Sequence, residues 1–155
     1  MYEPSIAGAP ILLRGDSQTA RALGVADRGG ATASGHDASR ERPLREARHA
    51  QFVRSIIRAR TLRREIFNGD LFADPAWDML LELYALTCEG GRISVSKLSF
   101  AAEVPATTAL RWIDKLEAEG LVVRFEDPLD ARRIWISLSD SGYSAMECFV
   151  ERVSR

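Results

Sequence analysis

The twelve residues 127–138, DPLDARRIWISL, place two carboxylates and two guanidinium groups within one short stretch, Asp127, Asp130, Arg132 and Arg133. Asp-Pro has turn chemistry and RIWISL alternates as a strand does, so the arginines stand at the mouth of a hairpin. A guanidinium is a permanent cation whose donors suit phosphate. Carried on a hairpin it can enter a groove of DNA, since a narrow minor groove concentrates negative potential. An Asp130–Arg132 surface ion pair worth about 0–1 kcal/mol is the plainer reading, and the two are compatible if the pair pre-orients the arginine.

A second set lies just upstream in PATTALRWIDKLEAEG. Thr107 and Thr108 are small and polar, Arg111 follows Thr107 by one helical turn, and Lys115 by two. Small hydroxyl side chains allow close backbone approach and can donate to phosphate or meet a thymine methyl. Arg111 can reach guanine or phosphate. Taken alone, Thr108 can equally pack and Arg111 can be a solvated charge; the two sets together favour DNA. Arg133 and Arg124 are then expected on flanking phosphates.

These residues need a scaffold, and the periodicity supplies one. A helix is expected from about Pro43 to Phe67, with Phe52, Ile56, Ala59, Leu62 and Ile66 as its apolar stripe and Asn68-Gly69 as its stop. Asp74-Pro75 starts a second helix, with Trp77, Leu80, Leu81, Tyr84 and Cys88 on one face, widened by Leu83 and Leu86. RISV makes one short strand, and Ser94 or Ser96 caps a brief helix at about 95–103. The next helix, 105–119, turns Ala109, Ile113 and Leu116 inward and stops at Gly120. LVVRFED and RIWISLSD pair across a turn of four to six residues centred on Pro128. Ser139 or Asp140 caps a last helix with Tyr143, Met146, Phe149 and Val150 inside. The expected fold is mainly α with a small antiparallel β-hairpin wing, a winged helix-turn-helix.

Composition narrows the chemistry. A chain of 155 residues can bury one core, and a formal net charge of −1 argues against a non-specific nucleic-acid coat while leaving room for a local patch. Eight arginines between Glu41 and Glu65 face three glutamates, a run that suits flanking phosphates or a partner's acidic face as well as it suits solvent. Cys88 and Cys148 are isolated, so no disulfide framework or zinc site is expected and neither thiol has a basic neighbour in sequence; both are expected to be buried and inert. His49 is expected to be exposed. No phosphate loop, nucleophile elbow or His–nucleophile pairing is present, so no enzyme and no cofactor is expected. No apolar run nears the roughly 20 residues that span a bilayer, and the start lacks a secretory pattern, which suits a cytoplasmic protein. Residues 1–40, rich in Gly, Ala and Ser, are expected to be a flexible arm ahead of the domain at 41–155.

The segment ISVSKLSFAAEVPATTALRWIDKLEAEGLVVRFEDPLDARRIWISLSDSG resembles the central region of MarR-type winged-helix transcriptional regulators. KLEAEGLVVR, the D-x-x-D-x-R spacing of Asp127, Asp130 and Arg132, and L-S-x-x-G at Leu138, Ser139 and Gly142 carry the resemblance, which FADPAWDMLLELYAL extends. It implies a dimeric, sequence-specific regulator of bacterial transcription, more often a repressor, that reads double-stranded DNA. The helix 105–119 would take the major groove and the wing 126–134 the minor groove. Arg132 matches the inserted wing arginine and Asp130 the aspartate that orients it; the implied DNA-contact set is Ser96, Lys97, Ala106, Thr107, Thr108, Arg111, Lys115, Arg124, Asp130, Arg132 and Arg133. Leu110 departs from the small polar residue common there, and either reads a thymine methyl or packs inward. Such dimers close through helices from both chain ends, which points to Phe52, Ile56, Phe149 and Val150. Family members often take a small acid as effector, for which Arg60, Arg64 and Tyr84 are candidate lining residues. The rival reading is a winged-helix protein-interaction module that docks a partner protein and does not bind DNA.

Overall fold

The computed structural model describes residues 34–67 and 70–155, leaving aside the side chains of 34–40 and of Asp70. The expected flexible arm lies outside the described residues up to position 33, as does the Asn68-Gly69 stop. Helix α1 spans Ser34–Phe67 and so begins nine residues ahead of the expected Pro43. Proline costs a helix one backbone donor, but the flanking Ala, Arg and Glu residues are good helix formers and carry the turns across it.

After a single helical turn at Asp70–Phe72, α2 occupies Pro75–Cys88. Asp74 caps it by accepting from the Trp77 N–H at 3.3 Å, and Pro75 fills the first position, as the Asp-Pro pair predicts. Met79, Leu81, Leu83, Tyr84 and Ala85 are buried on several sides of this helix, so α2 is the central post against which the other elements pack.

Strand β1, Ile93–Ser94, leads directly into α3, Val95–Ala101, with Ser94 as the cap. Helix α4 runs Ala106–Ala118 and turns Ala109, Ile113 and Leu116 inward, the expected stripe. Strands β2, Val122–Asp127, and β3, Asp130–Leu138, complete an antiparallel sheet of order β1-β3-β2. Helix α5, Asp140–Val153, closes the described chain.

The junction into α5 explains the L-S-x-x-G spacing. Ser139 Oγ accepts from the Gly142 N–H at 3.0 Å and also donates to the Gly120 carbonyl at 2.6 Å, tying the start of α5 to the end of α4. A Cβ on Gly142 would stand 2.0 Å from the Leu121 carbonyl oxygen, closer than any side chain can come. Only glycine lets the two backbones meet there, and this contact fixes where the hairpin leaves the core.

The hairpin turn is tighter than expected. β3 starts at Asp130, so two residues, Pro128 and Leu129, connect the strands in place of four to six. The ladder steps from the Glu126–Ile134 pair to the Asp127–Asp130 pair, which leaves Ala131, Arg132 and Arg133 without one-to-one partners on β2. The physical cause is Asp127, whose Oδ1 accepts the Leu129 N–H at 2.9 Å and folds the chain back at once.

Helix α1 also lies differently on the core. His49, Ala50 and Val53 are its buried residues, while Leu62 and Ile66 of the expected stripe are more than half exposed. The inward face is rotated by about one residue, roughly 100° round the helix. His49, expected at the surface, is buried with its Nδ1 2.9 Å from the Tyr84 hydroxyl.

Candidate nucleic-acid interface

Helix α4 presents Ala106, Thr107 and Arg111 to solvent, with Thr108 half-buried. Its inner stripe fixes this orientation, because Ala109, Ile113 and Leu116 are consumed by the core. Leu110 settles the alternative left by sequence: it is 42% exposed and faces away from the core. A groove of about 400 Å³ separates α4 from the wing, lined among others by Ser96, Leu110, Arg124, Asp130, Arg132 and Ile134. The fold therefore brings the first turn of α3, the middle of α4 and the wing to one surface. Lys97 is exposed in the same first turn of α3, where its backbone N–H donates to Ser94.

The wing arginines have unequal environments. Arg132 is exposed and its guanidinium pairs with no carboxylate among the described residues. Asp130 does orient this residue, but through the backbone: its Oδ1 accepts the Arg132 N–H at 3.1 Å, in place of the expected side-chain ion pair. Arg133 takes the carboxylates instead, at 3.2 Å from Asp127 Oδ2 and 3.8 Å from Asp130 Oδ2, with its guanidinium 5.7 Å from the Trp135 ring centre. The Asp127 carboxyl is held below its ordinary range, chiefly by the Leu129 N–H it accepts, with help from Trp135 and Arg133.

Two further expected contacts are drawn elsewhere. Arg124 pairs with Asp114 and, at 3.0 Å, with Glu117, both on α4, so its charge is neutralised within the chain. It fastens β2 to α4 and holds the groove's width. Lys115 Nζ stands 4.4 Å over the Trp112 ring and lines a separate apolar depression with Ala76. Among the described residues Arg132 at the groove, Arg111 next to the groove residue Leu110 and Lys97 next to the groove residue Ser96 have no carboxylate partner.

Sequence reasoning missed the turn between α3 and α4. Glu103 has φ 53°, in the left-handed region that side chains rarely adopt, and its carboxylate accepts from Arg64 of α1 at 3.1 and 2.8 Å. Arg64 also pairs with Asp78 at 2.9 Å, which holds Arg60 at 2.5 Å. This chain of charges ties α1 and α2 to the turn that sets the angle of α4. An acid in an inter-helix turn carries no local signal of a partner thirty-nine residues away.

The same network occupies the residues considered for an effector. Arg60 and Arg64 are committed to Asp78 and Glu103, and Tyr84 is fully buried beside Tyr143, ring centres 5.4 Å apart. Of the dimer candidates, Phe52 and Ile56 are half-buried on α1. Phe149 is half-buried edge-on to Trp77 at 4.7 Å. Val150 is fully buried within the chain and offers no surface, because the inward stripe of α5 passes through Met146 and Val150. Cys88 is half-buried with its thiol pushed up by burial, whereas Cys148 is exposed, against the expectation of burial for both. No described helix is long and apolar enough to cross a membrane, and no described group of His, Cys, Asp and Glu gathers to hold a metal.

A profile of the MarR family matches residues 77–134, which run from α2 through the two helices to the wing. Among solved structures, the chain is similar to a Q18P mutant of MepR from a multidrug-resistant S. aureus clinical isolate. That match has 23% identity and a TM-score of 0.48 over 62% of this chain and 66% of the other, just under two thirds of its length. It is also similar to the S. aureus MepR–DNA complex, with 22% identity and a TM-score of 0.46 over 65% of this chain and 78% of that one. A third similar structure is the transcriptional repressor CouR bound to a 23-mer DNA duplex, with 22% identity and a TM-score of 0.40 over 48% and 49%. No curated protein matches the chain significantly. The profile thus falls on the helix-turn-helix and its hairpin, so the chain is similar to the MarR family over residues 77–134, which fold as a winged helix-turn-helix.

Proposed function

We propose that this protein is a sequence-specific regulator of transcription, acting as a repressor on double-stranded DNA. Helix α4 reads the major groove through Thr107, Thr108, Leu110 and Arg111, and the wing carries Arg132 into the adjacent minor groove. The observation that carries this reading is the pairing pattern. Arg111 of α4 and Arg132 of the wing meet no carboxylate among the described residues, while their neighbours Arg124 and Arg133 are paired. A cation left unpaired on a surface bordered by small polar residues is suited to phosphate and base edges.

The protein acts as a homodimer through α1, where Phe52 and Ile56 are half-buried at the edge of the core and Leu62 and Ile66 exposed, and through Phe149 of α5. A two-fold dimer demands a pseudo-palindromic site with half-sites about one helical turn apart. A small acidic effector acting on such a dimer would have to displace the Asp78 carboxylate from Arg60 and Arg64.

The test is a fluorescence-anisotropy titration on duplexes selected by the protein from a random library, against scrambled duplexes at two salt concentrations. Preferential binding is expected, with log affinity falling linearly in log salt by about 0.9 per phosphate contact. A folded dimer that binds no duplex at low salt would sink this reading and favour the rival one, a winged helix that docks a partner protein through the exposed residues of α1.

A further inference from the structure

The tip of the wing carries an apolar side chain that its turn does not require. Asp127 and Pro128 are ordinary turn residues, and the position after the proline accepts most side chains, polar ones included. Here the tip is Pro128-Leu129, and Leu129 is 96% exposed, the most exposed large apolar residue among the described ones. Nothing in the fold uses this side chain. The backbone around it is nevertheless held on both sides: Asp127 Oδ1 takes the Leu129 N–H at 2.9 Å and Asp130 Oδ1 takes the Arg132 N–H at 3.1 Å. Proline ahead of it removes a further degree of freedom. An apolar side chain is thus offered to solvent on a stiffened point, three residues from the unpaired cation Arg132.

Other outward features carry less. The His49–Tyr84 pair is buried and satisfied, and the acidic and basic residues lining the α1–α5 surface neutralise one another through Arg45, Glu147 and Glu151. Leu129 instead pairs near-complete exposure with a backbone held in place and a neighbouring unpaired arginine.

We propose that Leu129 is a minor-groove wedge, inserted at a base step beside Arg132 and selecting steps that unstack easily. The inference rests on the DNA reading above and deepens it by naming what the wing discriminates. Apolar wedges part base pairs most readily at pyrimidine–purine steps such as TA and least readily in stiff A-tracts. The two side chains divide the work. Arg132 answers to groove potential, which A-tracts strengthen, and Leu129 answers to deformability, which A-tracts lack. Their joint optimum is an A·T-rich flank interrupted by a TA step.

The experiment uses the full chain and a duplex it has selected, with 2-aminopurine walked through the flanks as a reporter of unstacking. Wild type is expected to raise 2-aminopurine emission at one flank position. It should also prefer a TA step over an A-tract there. Leu129→Ala should abolish the emission rise, flatten the step preference and weaken binding about tenfold, the loss expected for a large apolar contact. The salt slope should stay unchanged, since no phosphate contact is lost. Arg132→Ala should lower affinity while keeping the step preference. Leu129→Met, which retains apolar bulk, should keep the emission rise. Thermal melting checks folding, and an exposed residue leaves it unmoved. If Leu129→Ala matches wild type in affinity, step preference and emission, the wedge is wrong and the DNA reading stands. If wild type binds no duplex, the DNA reading falls and the wedge falls with it.

Discussion

Helix α1 and the α4–wing surface both display arginine, and they use it in opposite ways. On α1, Arg45 meets Glu147 and Glu151, Arg54 meets Glu82 and Glu89, and Arg60 and Arg64 share Asp78. Arg63 donates to the Phe72 carbonyl and covers its ring. The run that read as a patch for phosphates or a partner is largely an internal seam between α1 and its neighbours. On the other surface, Arg111 and Arg132 meet no acid among the described residues, and the arginines beside them, Arg124 and Arg133, do. The lesson is that density of charge along the chain does not locate a binding surface. An unpaired charge is a candidate only where the fold also sets it beside a groove, as it does Arg132.

The contrast breaks most visibly at Asp78. Its carboxylate is 10% exposed and holds two guanidinium groups that are themselves 14% and 15% exposed. Asp78→Ala strands Arg60 and leaves Arg64 only the more exposed Glu103, so unfolding in urea should show a loss of about 3 kcal/mol, the scale for removing one partner of a buried pair. If the loss is under about 0.5 kcal/mol, a surface value, the seam is decoration and the comparison fails.

The reverse pattern is expected at the reading surface. Arg111→Ala and Arg132→Ala should each weaken binding to a selected duplex by about 1–2 kcal/mol while leaving the urea midpoint in place. A variant that lost stability instead would show that its arginine belongs with the seam.

Acid offers a gentler test. The Glu89 carboxyl is lowered chiefly by its hydrogen bond from Arg54. A carboxyl depressed in the folded state adds stability above its unfolded pKa, and that stability is lost as pH falls through the folded one. The melting temperature should therefore hold from neutral pH to about pH 5 and then fall below about pH 4.5, the ordinary glutamate range. Glu89→Gln should flatten part of that fall. An identical profile in the variant would show that the Arg54 contact contributes nothing.

The smallest effect belongs to Arg58, which is exposed on α1 and has no carboxylate partner among the described residues. Arg58→Ala should change stability by less than about 0.5 kcal/mol and DNA affinity not at all. Weakened DNA binding with a reduced salt slope would instead extend the reading surface to α1.

Much of the fold was legible because it is built from local rules. Asp74-Pro75, Ser94 and Ser139 start helices where capping chemistry says they should, and Ala109, Ile113 and Leu116 bury the face their spacing predicts. The hairpin was legible too, though its turn was drawn too long, since the Asp127 side chain shortens it in a way that residue type alone does not announce. The candidate site shows what residue type alone leaves open. The sequence points first to Thr107, Thr108, Arg111 and Arg132 and then to Arg124 and Lys115, which the fold engages with Asp114, Glu117 and Trp112.

The division has a physical basis. The sequence by itself determined the order of elements, the helix starts and the inward stripe of α4, since caps and periodicity act over a few residues, whereas the need for glycine at 142 comes from its contact with Leu121. It also carried enough of the motif to name the family segment. Only the tertiary structure decided which face of α1 is buried, because two apolar stripes run side by side on that helix and the choice depends on Asp78, Glu82 and Tyr84 of α2. It likewise decided which arginines remain unpaired. An ion pair is a contact between residues distant in sequence, such as Arg64 with Glu103, and a linear pattern cannot say where a guanidinium will find its acid.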